Sequence, residues 1–228
     1  MPASPTPAQK RDFIAELKDY AKRPPFASGN TANDWARLRD LARLHRAMDT
    51  LNPDSLLRKE TAKHMVVSMA TLVQANVRRT LAEIIDAKDQ RGERIPELAH
   101  LGLSLSTELA RELRDQSFSV GKFVARFLKL GTVERISEAF QEVTGKSFEA
   151  NLRPVFKSLV PANTPPNESD KRLHQILRRL APLFTHRRIL CNEEGNEVKI
   201  EPAEVDGYVE DVMQLVPAIT GVRYGEAG

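Results

Sequence analysis

"NPDSLLRKETAKHMVVSMATLVQANVRRTLAEIIDAK", residues 52–88, is the stretch that decides the fold. Pro53 stands near its start, and from there to Lys88 the chain contains no Gly and no further Pro, the residues that most readily interrupt a helix. Between Met65 and Val73 the sequence is apolar nearly all round a helix. Because such a helix needs neighbours on several sides, the stretch predicts one long helix, about 54–88, at the centre of a helical bundle.

Two short amphipathic helices are predicted before this stretch, over residues 8–22 and 32–49, with Pro-Pro, Gly and Asn between them. In the second helix Trp35 and Leu41 belong to the apolar face. We interpret its arginines as a solvated face, formed by Arg37, Arg39, Arg43 and Arg46. Residues 1–52 are therefore predicted to be an N-terminal two-helix extension, and residues 53–228 the bundle.

Shorter helices are predicted after the central one, because apolar residues recur three or four positions apart. Their expected bounds are 106–116, 120–130, 133–144, 147–159, 168–191 and 202–219. Pro182 is expected to kink the fifth of these helices. The segment "NEEGNEVKIEP", residues 192–202, is expected to form a turn or a small hairpin. No convincing set of alternating strands occurs, so the predicted class is all-α.

The composition is that of an ordinary globular protein, with 41% hydrophobic and 29% charged residues. The longest apolar run, "MVVSMATLV", is far too short to span a bilayer. The first residues lack the apolar segment of a secretory signal, and the single cysteine, Cys191, cannot form an internal disulfide. We therefore expect a cytoplasmic, reducing environment and no membrane partner.

Several common motifs are excluded by spacing. "TGKSF", residues 144–148, lacks the earlier Gly of a phosphate loop, because Phe140 stands at that position. We instead expect Gly145 to end one helix and Ser147 to cap the next. The one Cys and five His show no spacing typical of a zinc site, so neither a metal nor another cofactor is expected. Cys191 is interpreted as a half-buried apolar residue.

Charge is unevenly distributed near the C-terminus. A basic run extends through the predicted helix 168–191 and consists of Lys171, Arg172, Arg178, Arg179, Arg187 and Arg188. The charged residues after it are mostly acidic, with nine Asp or Glu against two Lys or Arg in residues 191–228. The basic helix could meet phosphates, or it could pair with Asp206, Glu210 and Asp211 of the last helix, and the sequence leaves both alternatives open.

The order of four segments resembles the HEPN superfamily, particularly its RiboL-PSP-HEPN branch, over roughly residues 54–221. These segments are "LVQANVRRTLAEII" (72–85), "FLKLGTVERISEAFQEVTG" (127–145), "LRRLAPLFTHRRILCNEEG" (177–195) and "AEVDGYVEDVMQLVPAI" (203–219). The resemblance implies a helical bundle that usually forms a homodimer and acts on RNA, in toxin–antitoxin, stress or antiviral defence systems.

Active members of that family carry an Arg followed, after four to six residues, by a His. The resemblance implies metal-independent RNA cleavage, in which the His moves a proton and the Arg stabilises charge on the phosphate. Here Arg187 takes the place of the motif Arg, Arg188 stands where Asn is common, and Asn192 stands where the His is expected. Because Asn does not titrate, this register predicts a catalytically degenerate protein that still holds a phosphate.

A second register pairs Arg179 with His186, which lie on one helix face about 10 Å apart if the helix is straight. It predicts an active endoribonuclease. The central helix departs from the family pattern, because Arg78 and Arg79 stand where a Glu is frequent. The further candidate RNA contacts are Arg188, Arg178, Lys171, Arg172, Arg78 and Arg79.

Three functions therefore remain open at this point. The first is a degenerate RNA-directed protein that binds RNA or a protein partner. The second is an active ribonuclease that uses Arg179 and His186, and the third is a non-catalytic helical interaction or scaffold subunit.

Overall fold

The computed structural model describes residues 31–48, 50, 56–91, 111, 113, 115, 119–162, 164–192 and 199–222. Over these residues the protein is an all-α bundle, as predicted, and they contain no strand. The helices are α1 (Thr31–Met48), α2 (Leu56–Gln90), α3 (Val120–Phe127), α4 (Val133–Thr144), α5 (Phe148–Leu159), α6 (Pro166–Leu190) and α7 (Pro202–Gly221).

Two compact units divide the chain, residues 1–36 and residues 37–228, with their boundary inside α1. The predicted helix 8–22 lies outside the described residues. In the second unit, Leu41 is buried on α1, and Leu44 is exposed. The arginines of α1 are exposed, as expected for a solvated face: Arg37, Arg39, Arg43 and Arg46. The predicted division at 52/53 stays a prediction.

The long helix α2 lies at the centre of the second unit, and it packs against α3, α7, α6 and α4. Its middle is buried on nearly every side, as the sequence predicts. The buried side chains there are Met65, Val66, Met69, Ala70, Leu72 and Val73. Burying an aliphatic side chain of this size contributes about 1.5–3 kcal/mol relative to leaving it exposed. The position of α2 in the bundle thus follows from its apolar circumference.

The short helix α3 is held against α2 by a cap and by close backbone contact. Asp86 of α2 accepts hydrogen bonds from the Ser119 hydroxyl (2.5 Å) and from the Gly121 backbone N–H (2.7 Å). A carboxylate at this end complements the positive N-terminus of a helix. A Cβ added to Gly121 would lie 1.9 Å from the Ala82 carbonyl oxygen, so only Gly permits this approach.

The turn between α4 and α5 has the caps that the sequence predicts. Gly145 ends α4 in the left-handed region, with φ of 77°, and its N–H bonds to the Gln141 carbonyl. Ser147 caps α5 by accepting a hydrogen bond from the Ala150 N–H. These caps bring Phe148 against Phe140, with ring centroids 5.0 Å apart. The interpretation of "TGKSF" as a helix–helix turn is confirmed.

Three expected elements differ from the structure or lie largely outside the described residues. The helix expected over 120–130 ends at Phe127, because Leu128 has an extended backbone. Of the predicted helix 106–116, only Arg111, Leu113 and Asp115 are described, and all three are helical. Most of the segment expected to form a turn or hairpin, 193–198, lies outside the described residues. The helix expected over 168–191 runs as α6 without a break through Pro182.

Candidate functional site

The basic residues of helix α6 lie in three different environments. Its residues Arg172, Arg179 and His186 are seven positions apart, which places them on one face, and this face contacts α7. Arg187 follows the spacing of the apolar residues Leu180 and Leu183 and so lies on the buried face. A third set of basic residues, Lys171, Arg178 and Arg188, is exposed.

On the face towards α7, two arginines converge on one buried carboxylate. Arg179 Nη2 donates a 2.6 Å hydrogen bond to Asp211 Oδ1, and its Nε lies 2.6 Å from Oδ2. Arg172 Nη2 lies 3.4 Å from the same carboxylate and 3.2 Å from Glu210. The Asp211 side chain is only 2% exposed. The alternative in which the basic helix pairs with α7 is therefore realised for these two arginines.

The protonation of Asp211 reflects two opposing effects. Burial raises the pKa of its carboxyl above the usual value, and the charge and hydrogen bond of Arg179, followed by the charge of Arg172, act in the opposite direction. Gly207 lies beside Arg179, and an added Cβ would lie 3.3 Å from Arg179 Nη1. The charge of Arg179 is thus used within the fold.

His186 is engaged with Tyr208 of α7. Its Nδ1 lies 3.3 Å from the Tyr208 hydroxyl, and the two rings meet edge to face. Burial, with the charges of Glu204 and Asp211 adding to it, raises the pKa of the Tyr208 phenol to about 12. Arg179 and His186 do share a face, as expected, but each is bonded to its own partner on α7.

Arg187 is a cation on the otherwise apolar face of α6. Its side chain makes no hydrogen bond or ion pair with the described part of the chain, and its Nε is buried. A buried donor without a partner costs about 1–3 kcal/mol, and such groups in native proteins usually have a reason. Arg187 thus differs from Arg172 and Arg179, whose guanidinium groups lie in ion pairs with α7.

Arg78 of α2 lies near enough to Arg187 for the two charges to repel. Burial and, second, the charge of Arg187 lower the pKa of the Arg78 guanidinium. Arg78 Nε donates to the Ala125 carbonyl (2.9 Å) and Nη2 to the Leu128 carbonyl (3.3 Å). It thereby holds the C-terminal end of α3, where a cation is favourable.

The remaining candidate residues are more loosely placed. Arg79 is half-buried on α2. Asn192 is exposed in the turn after α6. The expectation for Cys191 was wrong: it is exposed at the end of α6. The helix ends at Leu190, so Cys191 lies at the start of the turn, where helical spacing no longer determines burial.

A separate cleft of about 420 Å³ lies between α4, α5 and α6. Its lining includes Glu134, Glu149, His174 and Arg178 around an apolar floor that contains Phe148. A hydrogen bond from its own backbone N–H and, second, one from the Thr132 hydroxyl lower the pKa of Glu134. Glu134 and Glu149 lie in the first turns of α4 and α5, where a carboxylate is favourable, and Glu149 also pairs with Arg153 at 3.0 Å.

Across the described residues, no three potential metal ligands cluster, and no described helix has both the length and the apolar character to cross a membrane. Family models, curated proteins and solved structures give no match to this chain.

Proposed function

We propose that this is a HEPN-like, RNA-directed protein of a toxin, stress or antiviral defence system in the cytoplasm, which binds RNA without cutting it. The observation that carries the proposal is the placement of Arg187: a guanidinium on the buried face of α6, without a partner in the described chain, at the position of the motif Arg. A planar guanidinium matches a phosphate in two parallel hydrogen bonds.

The exposed side of α6 carries three further cations that are available to phosphates. Lys171, Arg178 and Arg188 have no ion pair or hydrogen-bonded side-chain partner in the described residues. Lys171 and Arg178 are seven residues apart, which corresponds to about 10 Å along the helix. That distance allows each to meet a different phosphate of one strand. Backbone contacts of this kind give affinity without sequence specificity.

An active endoribonuclease that uses Arg179 and His186 has less support. Arg179 is neutralised by Asp211, so its charge is already compensated before a phosphate arrives. His186 faces the Tyr208 hydroxyl. The first register offers Asn192, whose amide does not titrate near neutral pH and so does not serve as a general acid or base. The degenerate protein is therefore the better proposal.

A helical interaction subunit is the second candidate, and one observation favours it. Arg172 and Arg179, which are two members of the basic run, are used to join α6 to α7. If the whole run had this purpose, the protein would be a scaffold. The exposed and unpaired Lys171, Arg178 and Arg188 argue against that extension.

The test is to incubate the purified protein with labelled tRNA or total RNA in EDTA and to follow binding and RNA length together. We expect binding that weakens as salt rises, with RNA of unchanged length, because phosphate contacts release counterions. RNA that is shortened by the protein but not by its His186→Ala variant would establish the active enzyme instead. No binding at low salt would favour the interaction subunit.

A matched pair of variants distinguishes RNA binding at the α6 surface from an effect of net charge. Arg188→Gln removes an exposed cation from α6, and Arg135→Gln removes one from α4, where it pairs with Glu138. Both change the net charge equally. Weaker binding in Arg188→Gln alone supports the proposal, whereas equal loss in both variants would attribute binding to net charge.

A further inference from the structure

The cleft between α4, α5 and α6 has the size of a small-ligand site. Its volume is about 420 Å³, and ligand clefts in proteins have volumes of about 300–1,000 Å³. Its apolar floor includes the buried side chains of Phe148 and Leu177. Phe148 packs against Phe140 on α4, which joins this floor to the core of the bundle. The floor therefore suits a ligand that has an apolar face.

The charged groups that line the cleft are of both signs. Glu134 and Glu149 lie in the first turns of α4 and α5, and His174 and Arg178 lie one turn apart on α6. Glu149 is already paired, because Arg153 lies 3.0 Å and His174 Nδ1 lies 4.0 Å from its carboxylate. Glu134 and Arg178 have no ion pair among the described residues, so both charges are available to a ligand.

The carboxylate of Glu134 determines which kind of group can bind beside it. An ionised carboxylate only accepts hydrogen bonds, and its two oxygens offer about four acceptor sites. Bonds from its own N–H and from the Thr132 hydroxyl use part of this capacity, and they keep the group ionised by lowering its pKa. A phosphate at this position would be repelled. A neutral group with neighbouring N–H donors would be bound.

A nucleobase combines an apolar face with such donors. Proteins bind single-stranded RNA by taking unstacked bases and forming hydrogen bonds to their Watson–Crick edges. Guanine has two adjacent donors on that edge, N1–H and the N2 amine, which fit the two oxygens of one carboxylate. Adenine and cytosine have one amine there, and uracil has one N–H. Arg178, exposed at the same cleft, is a suitable donor to the phosphate of the same nucleotide.

We propose that this cleft binds one unstacked guanine of an RNA strand, with Glu134 accepting from N1–H and the N2 amine and Arg178 binding the adjacent phosphate. The proposal rests on the proposed RNA-binding function and adds a base preference to it. Lys171, exposed on the same face of α6 about 10 Å from Arg178, binds a further phosphate. Because phosphate contacts carry no sequence information, a preference for guanine distinguishes the cleft from the cations around it.

The experiment compares oligouridine RNAs of one length that carry uridine, guanosine, adenosine, cytidine or inosine at one central position. Binding is measured by fluorescence anisotropy at fixed pH and ionic strength. We expect the guanosine RNA to bind about tenfold more tightly than the uridine, adenosine and cytidine RNAs, as for a good bidentate contact to a base edge. Inosine lacks the N2 amine and should bind more weakly than guanosine. Equal affinity for all five RNAs would overturn the proposal and leave RNA binding intact, whereas binding of none would overturn both.

Glu134→Gln is the decisive variant, and Glu138→Gln, one turn further along α4, is its control. Glu138 is exposed, pairs with Arg135 and does not line the cleft. Both substitutions remove one negative charge. Glu134→Gln should abolish the preference for guanosine, because an amide has one acceptor oxygen where the carboxylate has two, and Glu138→Gln should keep it. A preference that survives in Glu134→Gln would refute this site.

Thermal unfolding gives a second readout that needs no RNA strand. Guanosine 5′-monophosphate should raise the Tm of the wild type more than uridine 5′-monophosphate does at equal concentration and ionic strength, because a ligand that binds only the native state stabilises it. The difference should vanish in Glu134→Gln, whose cooperative unfolding without nucleotide establishes that it is folded. A difference of equal size in Glu134→Gln would contradict the proposed guanine site.

Discussion

Replacing Asp211 by Asn tests how much the ion pair between α6 and α7 contributes to the free energy of unfolding. The Asp211 side chain is 2% exposed; it accepts a 2.6 Å hydrogen bond from Arg179 Nη2, and its Oδ2 lies 2.6 Å from Arg179 Nε in the same ion pair. Removing one partner of a buried ion pair costs about 3–5 kcal/mol, which is the gross loss for this substitution. Two effects reduce it: Arg179 is 41% exposed and can be rehydrated, and Asn avoids burying a charge. We expect a net loss of about 2–3 kcal/mol.

The control is Glu210→Gln, next in the chain and paired with the same Arg172. Glu210 is 63% exposed, and exposed ion pairs contribute about 0–1 kcal/mol. Urea unfolding of both variants, followed by circular dichroism, gives the free energies of unfolding, provided that the slope m is unchanged. A loss below about 0.5 kcal/mol for Asp211→Asn, or an equal loss for Glu210→Gln, would refute the reasoning from burial.

Three further changes test other contacts. Gly121→Ala should destabilise the protein by more than about 2 kcal/mol, because the new Cβ meets the Ala82 carbonyl. Gly131→Ala, which has open space around it, should change stability little. Thermal unfolding of the two variants compares them, and equal stability would contradict the close contact at Gly121. Gly145→Ala should cost about 1 kcal/mol through its φ of 77°, by urea unfolding, and no loss would refute the cap. Tyr208→Phe should remove about 2 kcal/mol of alkaline destabilisation. The raised pKa keeps the phenol protonated in the fold, so the wild type is fully stable below about pH 10 and loses stability as the pH rises towards 12. The free energy of unfolding measured against pH checks this, and the same profile in both proteins would contradict it.

The central helix could be predicted from sequence because its pattern is local. The run after Pro53 has no helix breaker, and its apolar circumference indicates neighbours on several sides. The turn at Gly145 and Ser147 could be predicted for the same reason, since caps depend on residues close in sequence. The end of α3 at Phe127 could not, because Arg78, distant in sequence, binds the carbonyl oxygens at that end.

The candidate site was only partly accessible to sequence reasoning. Periodicity alone separates Arg187 from Arg188 on α6, because the former follows the apolar spacing. Which cations are neutralised depends on the packing of α7, and only the structure shows that Arg179 meets Asp211. The wrong expectation for Cys191 arose at a helix end, where periodicity no longer determines burial.

The most direct test of the central claim, RNA binding without cleavage through α6, is the salt dependence of RNA affinity for the wild type and for a Lys171→Gln, Arg178→Gln, Arg188→Gln triple variant. Each phosphate contact on a single strand contributes about −0.7 to the slope of log K against log salt, so we predict that the triple variant loses about 2 units of slope. The RNA should remain intact with both proteins. Equal slopes, or RNA that is shortened by the wild type, would contradict the account.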